Sequence, residues 1–412
     1  MANINKKDVV VVGGGAAGLL CAGYAVRRGK SAVVIEKMER PGRKILITGK
    51  GRCNVTNNCD RDTFLAAVTS NPRFLYSAYD AFDAQKTMAF FENHGVPLKT
   101  ERGNRVFPRS DRAGDVKDAL VRFVTDSGTK IINGTCARLL QENGTVTGVV
   151  LDNGDIWHGN SVVLATGGSS YPLTGSTGDG YRMAQEVGHT ITDLRASLVP
   201  IVAEEKFCRD MMGLSLKNVT LTLRQKGKKN PIFSELGEML FTHFGLSGPM
   251  VLSASAHMSG PIKDYTLHVD LKPGLTPEQL DARILRDFAA ASNRDFINIL
   301  GALLPRKMVP IVVQLSGIPG SAKVHQITKE QRVGLAALLK NFVITPKGFR
   351  PIEEAVITAG GVKVAEVNPK TMESKVAPGL FLAGEVLDVD AYTGGFNLQI
   401  AFSTGYLAAM NV

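Results

Sequence analysis

Residues 8–36 read DVVVVGGGAAGLLCAGYAVRRGKSAVVIE. Val9–Val12 is an unbroken β-branched run, short enough for a buried parallel strand. Gly13, Gly15 and Gly18 follow as G-x-G-x-x-G. The segment Ala16–Arg28 predicts a helix, small and apolar toward the strand and basic at its end, where a helix C-terminus favours cations. Gly29 stops it, and Ser31–Ile35 predicts a second strand closing on Glu36. A glycine pattern set inside a complete βαβ unit is a dinucleotide-binding fingerprint, and each glycine has a mechanical duty. Gly13 makes the tight turn, Gly15 lets a pyrophosphate approach the backbone, and Gly18 lets helix and strand pack closely. The first helical residues, Ala16 and Ala17, present free N–H groups at the positive end of the helix dipole. Glu36 is positioned to accept hydrogen bonds from a ribose diol.

The rest of the chain adds domains to this unit. Its 412 residues exceed one ordinary core, so two or three domains are expected. Hydrophobic residues make 44% and charged residues 21%, which describes a soluble globular protein. The formal net charge of +10 suits an anionic cofactor, an acidic substrate or nucleic acid. The cations are diffuse, densest at Arg40–Arg43–Lys44, Lys50–Arg52 and Lys226–Lys229, the last reading as a solvated hairpin tip around Gly227. A solvated surface is therefore preferred to an RNA footprint, and no nucleic-acid partner is expected. The five cysteines, Cys21, Cys53, Cys59, Cys136 and Cys208, form no C-x-x-C pair. With no signal peptide, this implies a reducing cytoplasm without a disulfide framework. No apolar run is long enough to span a bilayer, and the seven histidines lack ligand spacing, so no metal site is expected.

After Glu36 the stretch KMERPGRKILITGKGRCNVTN is too glycine-rich and basic for a regular element. Its Arg43, Lys44, Gly49, Gly51, Arg52, Cys53 and Asn54 predict a loop wrapping a dinucleotide. Short helices follow, then a hairpin centred on Arg102–Gly103–Asn104 and an amphipathic helix over 114–126. Asn143–Gly144 and Asn153–Gly154 mark turns of a β-meander. It leads into a strand that stops on Thr166, Gly167 and Gly168, a turn that brings backbone against a ligand. From 196 the composition changes. Strands are expected at 199–202, 216–223, 232–235, 238–242 and 265–271, then helices at 278–291, 296–300, 306–315 and 329–340. The α/β pattern returns with strands at 355–357 and 379–383. Gly384–Glu385 ends the second of these, and Gly394–Gly395 opens a last helix over 398–410 with Asn397, Leu398 and Gln399 at its start.

Together these features resemble the two-dinucleotide-binding-domain flavoproteins. Four stretches resemble one bacterial three-domain flavoprotein family more closely: PGRKILITGKGRCNVTN, GEMLFTHFGLSGPMVLSAS, ITAGGVKVAEVNPKTMESK and GLFLAGEVLDVDAYTGGFNLQIAFSTG. Members of that family are assigned as L-aminoacetone oxidase and as an ene reductase of dehydro-bile acids. The resemblance implies an α/β, Rossmann-like FAD-binding domain over 1–195 and 346–412. It carries an inserted β-rich, barrel-like module over 196–275 and a helical module over 276–345. It implies an extended FAD, with Glu36 and Lys37 near the adenosine ribose and the Arg43–Asn54 loop along the cofactor. Cys136 and Ala137 meet adenine through their backbone, Gly384 and Glu385 meet the flavin side of the pyrophosphate or the ribityl chain, and Asn397, Leu398 and Gln399 face the flavin pyrimidine. A second fingerprint for NAD(P) is missing, so NAD(P)H, if used, docks transiently. The candidates near the ring are His243, Tyr392 and Asn54, with Tyr171 and Cys53 beside them. Cys53 is read as a small loop residue in preference to a redox thiol. The leading activity is NAD(P)H-driven reduction of a conjugated C=C bond in a hydrophobic small molecule such as a dehydro-bile acid. The alternatives are an oxidase of a small amine using O2, and a non-catalytic flavin protein that binds RNA or a protein partner.

Overall fold

The computed structural model describes residues 4–412. The chain divides into two compact units, one of Met1–Ser197 with Pro351–Val412 and one of Leu198–Arg350.

The first unit is built on parallel strands. In spatial order they are Lys130–Asn133, Ala32–Glu36, Ile4–Val12, Ile156–Leu164 and Leu380–Leu382. Val9, Val10 and Val11 have no exposed surface, as a strand covered on both faces requires. An antiparallel meander, Cys136–Glu142 and Thr145–Leu151, pairs with the start of Ile156–Leu164. From Ile4–Val12 the chain crosses to one side of the sheet, and the strands after Ile156–Leu164 lie on the other. The carboxyl ends of these two neighbours are the switch point at which open α/β sheets hold their ligands.

The helices Ala16–Arg27 and Phe396–Ala409 lie against each other, although their sequences are far apart. Small residues make this possible. A Cβ on Gly405 would sit 2.4 Å from the Ala17 carbonyl oxygen, and one on Gly384 would touch the Ala17 side chain at 3.0 Å.

Three sequence expectations are corrected here. Residues 43–47, read as irregular, form a short helix, entered through Gly42 at φ +71°. The strands expected at 232–235 and 238–242 are one strand, Phe233–Phe241, which runs through Gly237. Met250 fills the space a side chain there would take. The strand expected at 355–357 is Ile357–Ala359, paired with Arg195–Ser197.

The second unit holds a seven-stranded sheet. Its order is Phe342–Ile344, Tyr265–Asp270, Ser215–Gln225, Phe233–Phe241, Gly245–Ser247, Ile201–Ala203 and Pro346–Phe349. The first and last of these are separated in sequence by Thr345 alone, so the sheet curls until one bent segment closes both edges. The helices Pro277–Ala289 and Lys329–Lys340 each start on a capping box, Thr276 with Gln279 and Thr328 with Gln331. Their Leu280, Ile284, Leu335 and Leu339 share one core with Leu221, Leu223, Leu267 and Val269 of the sheet.

Candidate active site

The three fingerprint glycines have three different physical grounds. Gly13 sits at φ +105°, and a Cβ there would lie 2.4 Å from the Ala165 carbonyl oxygen, on the neighbouring strand end. A Cβ on Gly18 would lie 1.9 Å from the Gly13 carbonyl oxygen. Gly15 has an ordinary extended backbone, φ −86° and ψ −168°, and a Cβ there would meet nothing within 4 Å. So the first and third glycines are demanded by protein packing and the second faces open space. No side chain caps the helix that begins at Ala16, and no acid lies in its first turn. An opening beside an uncapped helix start is a cradle for a phosphate.

Glu36 closes the strand beside it. Its Oε2 accepts from the Gly14 N–H at 2.7 Å and its Oε1 from the Met38 N–H at 2.8 Å. Burial pushes its carboxyl above the usual range, against the pull of those two donors. Each carboxylate oxygen retains acceptor capacity for a ribose hydroxyl. Lys37 donates to Thr177 and pairs with Asp179 at 2.6 Å. Cys136 is buried, and Arg182 donates to the Ala137 carbonyl oxygen at 2.8 Å.

The basic loop behaves differently from its composition. Arg43 is exposed. Lys44 reaches Glu385 Oε2 at 2.8 Å and Ser170 Oγ at 2.6 Å. The other Glu385 oxygen accepts from the Thr358 N–H at 2.9 Å and from Ser170 Oγ at 3.2 Å. Gly168 fits against this cluster because a Cβ there would be 2.9 Å from Glu385 Oε1 and 2.7 Å from Thr358 Oγ1. Arg52 pairs with Glu101 and, at 2.7 Å, with Asp111, and lies 4.1 Å over the Phe107 ring. Gly49 and Gly51 both take positive φ, and a Cβ on Gly49 would press on the Asn54 amide nitrogen at 2.9 Å.

Cys53 is fully buried at φ +59°, and burial pushes its thiol up to about 12. Cys21, Cys136 and Cys208 are likewise pushed up to about 12 and Cys59 to about 11 by burial. Thiolates are the reactive form, so the native protein at pH 8 should gain no adduct with iodoacetamide, while the unfolded chain should be alkylated at its cysteines. Rapid labelling of Cys53, mapped by mass spectrometry, would favour a redox thiol over the small loop residue read from the sequence.

At the late helix, Gly395 stands at φ +99° and again no side chain caps the first turn and no acid lies in it. The side chains behind that turn hold the protein together. Asn397 Oδ1 accepts from the Ala391 N–H at 2.9 Å, and its amide donates to the carbonyls of Ala391 at 2.7 Å and Tyr392 at 3.3 Å. Gln399 is 1% exposed, accepts from Thr56 Oγ1 at 2.6 Å and donates to the Phe82 carbonyl at 2.8 Å. Leu398 is half-buried. Tyr392 is half-buried on the loop that Asn397 clamps. His243 is exposed at a turn of the second unit, its ring 4.9 Å from Phe244.

Buried side-chain oxygens of Asn54, Thr87, Thr147, Thr166 and Asp390 have no hydrogen-bond partner among the described residues. Thr166 Oγ1 packs against the start of the helix Asp179–Glu186, 2.0 Å from where a Cβ on Gly180 would stand. Residues that sequence reasoning passed over include Ser170 and Thr358, which complete the Lys44–Glu385 cluster. Asp390 is another. It is 1% exposed, with Oδ2 accepting from Ser197 Oγ at 2.8 Å and Oδ1 unpartnered among the described residues. The carboxylate spacing D-V-D at 388–390 was the visible signal.

Residues 7–411 match the family model of the HI0933-like protein Rossmann domain. The chain belongs to the HI0933-like family. It is 31% identical to the 3-dehydro-bile acid delta(4,6)-reductase of Clostridium scindens, over 97% of each chain. It is also 31% identical to the ribosomal RNA dihydrouridine synthase of Escherichia coli, over 99% of this chain and 98% of the relative. The same identity links it to the enzyme of that name in Haemophilus influenzae, over 98% of each. Among solved structures, the 3-ketosteroid-delta4-(5alpha)-dehydrogenase of Rhodococcus jostii shares the fold at a TM-score of 0.54 and 16% identity, covering 99% of this chain and 96% of that one. This HI0933-like protein is an FAD-dependent oxidoreductase with a Rossmann-type cofactor domain. The open cradle at Gly15, the acceptor at Glu36 and the two uncapped helix starts fit a dinucleotide. No helix among the described residues is long and apolar enough to cross a membrane, and no group of metal-ligating side chains is present among them.

Proposed function

We propose that this protein reduces a carbon–carbon double bond conjugated to a carbonyl, and that the substrate is the uracil ring of a uridine in RNA. The relatives support the chemistry. A 3-dehydro-bile acid with delta(4,6) unsaturation and a uridine share one reactive element: an alkene whose far carbon accepts hydride because a carbonyl withdraws its electrons. Two hydrogens are added across the bond, one as hydride at the carbon β to the carbonyl and one as a proton at the α carbon. NAD(P)H is the ultimate donor and leaves as NAD(P)+. FAD supplies the hydride-carrying ring. The residues at the switch point would hold it, the helix start of Ala16 taking its phosphates and Glu36 its ribose. The uncapped start of the Phe396–Ala409 helix would stabilise negative charge placed against it. Tyr392 is the proton donor in this reading, with Asn54 orienting the carbonyl.

The net charge of +10 carries the choice of substrate. A polyanion gains from such a surface, and a single bile-acid carboxylate gains little. This reverses the sequence-based preference for a hydrophobic small molecule. That preference stays as the second reading, on the strength of the Clostridium scindens relative, which matches at the same 31% identity as the RNA enzymes do. The test is anaerobic incubation with NADH or NADPH and either protein-free ribosomal RNA from a deletion strain or a 3-oxo-4,6-diene bile acid. Dihydrouridine in the digested RNA is expected. Turnover of the diene alone would establish the second reading, and amine-driven flavin reduction with peroxide release would establish an oxidase.

A further inference from the structure

We propose that the tip of the long hairpin in the second unit binds the phosphate backbone of RNA. This rests on the RNA reading above and adds to it a place on the molecule. The strands Ser215–Gln225 and Phe233–Phe241 pair as far as Leu223 opposite Phe233. Beyond that rung the chain turns through KGKKN at 226–230, with Gly227 at φ +80°. Arg224, Lys226, Lys228 and Lys229 are all exposed. The other neighbour of the first strand, Tyr265–Asp270, is registered with Gln225 opposite Tyr265. The preceding turn therefore abuts the tip, and the Lys226 N–H donates to the Asp264 carbonyl at 2.7 Å. That register brings exposed Lys263 to the same end of the sheet. Asp264 is the acid of the turn that carries Lys263.

None of these cations forms an ion pair among the described residues, whereas Lys37, Lys44 and Arg52 of the first unit each face a carboxylate. A knot of unpaired like charges repels itself and gains nothing from the fold. It gains once a polyanion displaces its counterions onto these side chains. The tip is rich in lysine, a point charge on a flexible stem, with no row of arginines to fork onto base edges. Such contacts position RNA without reading its sequence.

The experiment compares the full-length holoenzyme with a Lys226→Ala/Lys228→Ala/Lys229→Ala variant, binding protein-free ribosomal RNA across a salt series. Wild type should bind with a steep salt dependence. Removing three phosphate contacts should flatten the log–log slope by about two and weaken binding roughly tenfold or more near 100 mM salt. Flavin content, melting temperature and reduction of the bound flavin by NAD(P)H should not change. The triple Lys→Arg variant should bind as wild type does. Lys228→Ala alone, a milder change on an exposed turn, should flatten the slope by about 0.7. If wild type binds RNA and the alanine variants bind with an unchanged slope, the tip is not the contact, and the RNA reading stands. If wild type itself shows no salt-sensitive RNA binding, the RNA reading falls and the tip falls with it.

Discussion

Gly15→Val yields a folded, colourless protein. The backbone at Gly15 is extended, a conformation any residue adopts, and the new Cβ enters open space. The positive-φ backbone of the fingerprint is at Gly13. Valine therefore leaves the fold intact and fills the path of the pyrophosphate. Hydrogen bonds to a charged group are worth about 1.5–3 kcal/mol each. Losing two of them from the helix start weakens FAD by roughly a hundredfold or more. Flavin content after reconstitution and the melting curve of the apoprotein measure both halves of this. Gly13→Ala is the contrasting variant: at φ +105° and 2.4 Å from a backbone oxygen it should fail to fold. A yellow Gly15→Val protein would remove the pyrophosphate from this loop.

Asn397→Leu should lower the melting temperature and leave the flavin potential where it was. The resemblance to flavoproteins placed this side chain at the flavin pyrimidine. In the structure its amide is occupied by three hydrogen bonds to the 391–392 backbone. Leucine keeps the volume and strands the N–H of Ala391, a residue with no exposed surface. That costs about 2–4 kcal/mol, on the order of 5–10 °C in a unit this large. Asn397→Asp retains the acceptor for the Ala391 N–H and should lose less. Dye-coupled reductive titration reads the potential on the same preparations. A potential lowered by tens of millivolts with an unmoved melting curve would return the side chain to the flavin.

The elements that were legible in the sequence are those whose signals are local. Four consecutive valines, three glycines and a closing acid specify a strand, a turn, a helix and a strand without help from the rest of the chain. The same is true of the Lys329–Lys340 helix, whose limits the periodicity found. The misreadings have a common cause in partners that lie far away. Arg43–Ile47 is helical despite its glycine-rich, basic surroundings. Gly237 does not break its strand because Met250, supplied by a later helix, takes its place. Lys44 and Arg52 looked available for phosphates, and composition cannot reveal that Glu385 waits for one and Glu101 and Asp111 for the other. Gln399 carries a polar side chain at a helix start, which reads as a ligand contact. Its partners Thr56 and Phe82 belong to segments over three hundred residues earlier.

The second unit begins and ends on one pair of strands. Ile201 lies opposite Phe349, and the Arg350 N–H donates to the Pro200 carbonyl at 3.0 Å. Its entry and exit are thus a hydrogen bond apart, so for the rest of the chain the whole excursion from 198 to 350 has the geometry of a tight loop. An evolving genome can exchange such a cassette, or lengthen it, without disturbing the frame that receives it. For a protein engineer the same closeness makes the ends joinable, with new termini opened at an exposed turn such as 226–230.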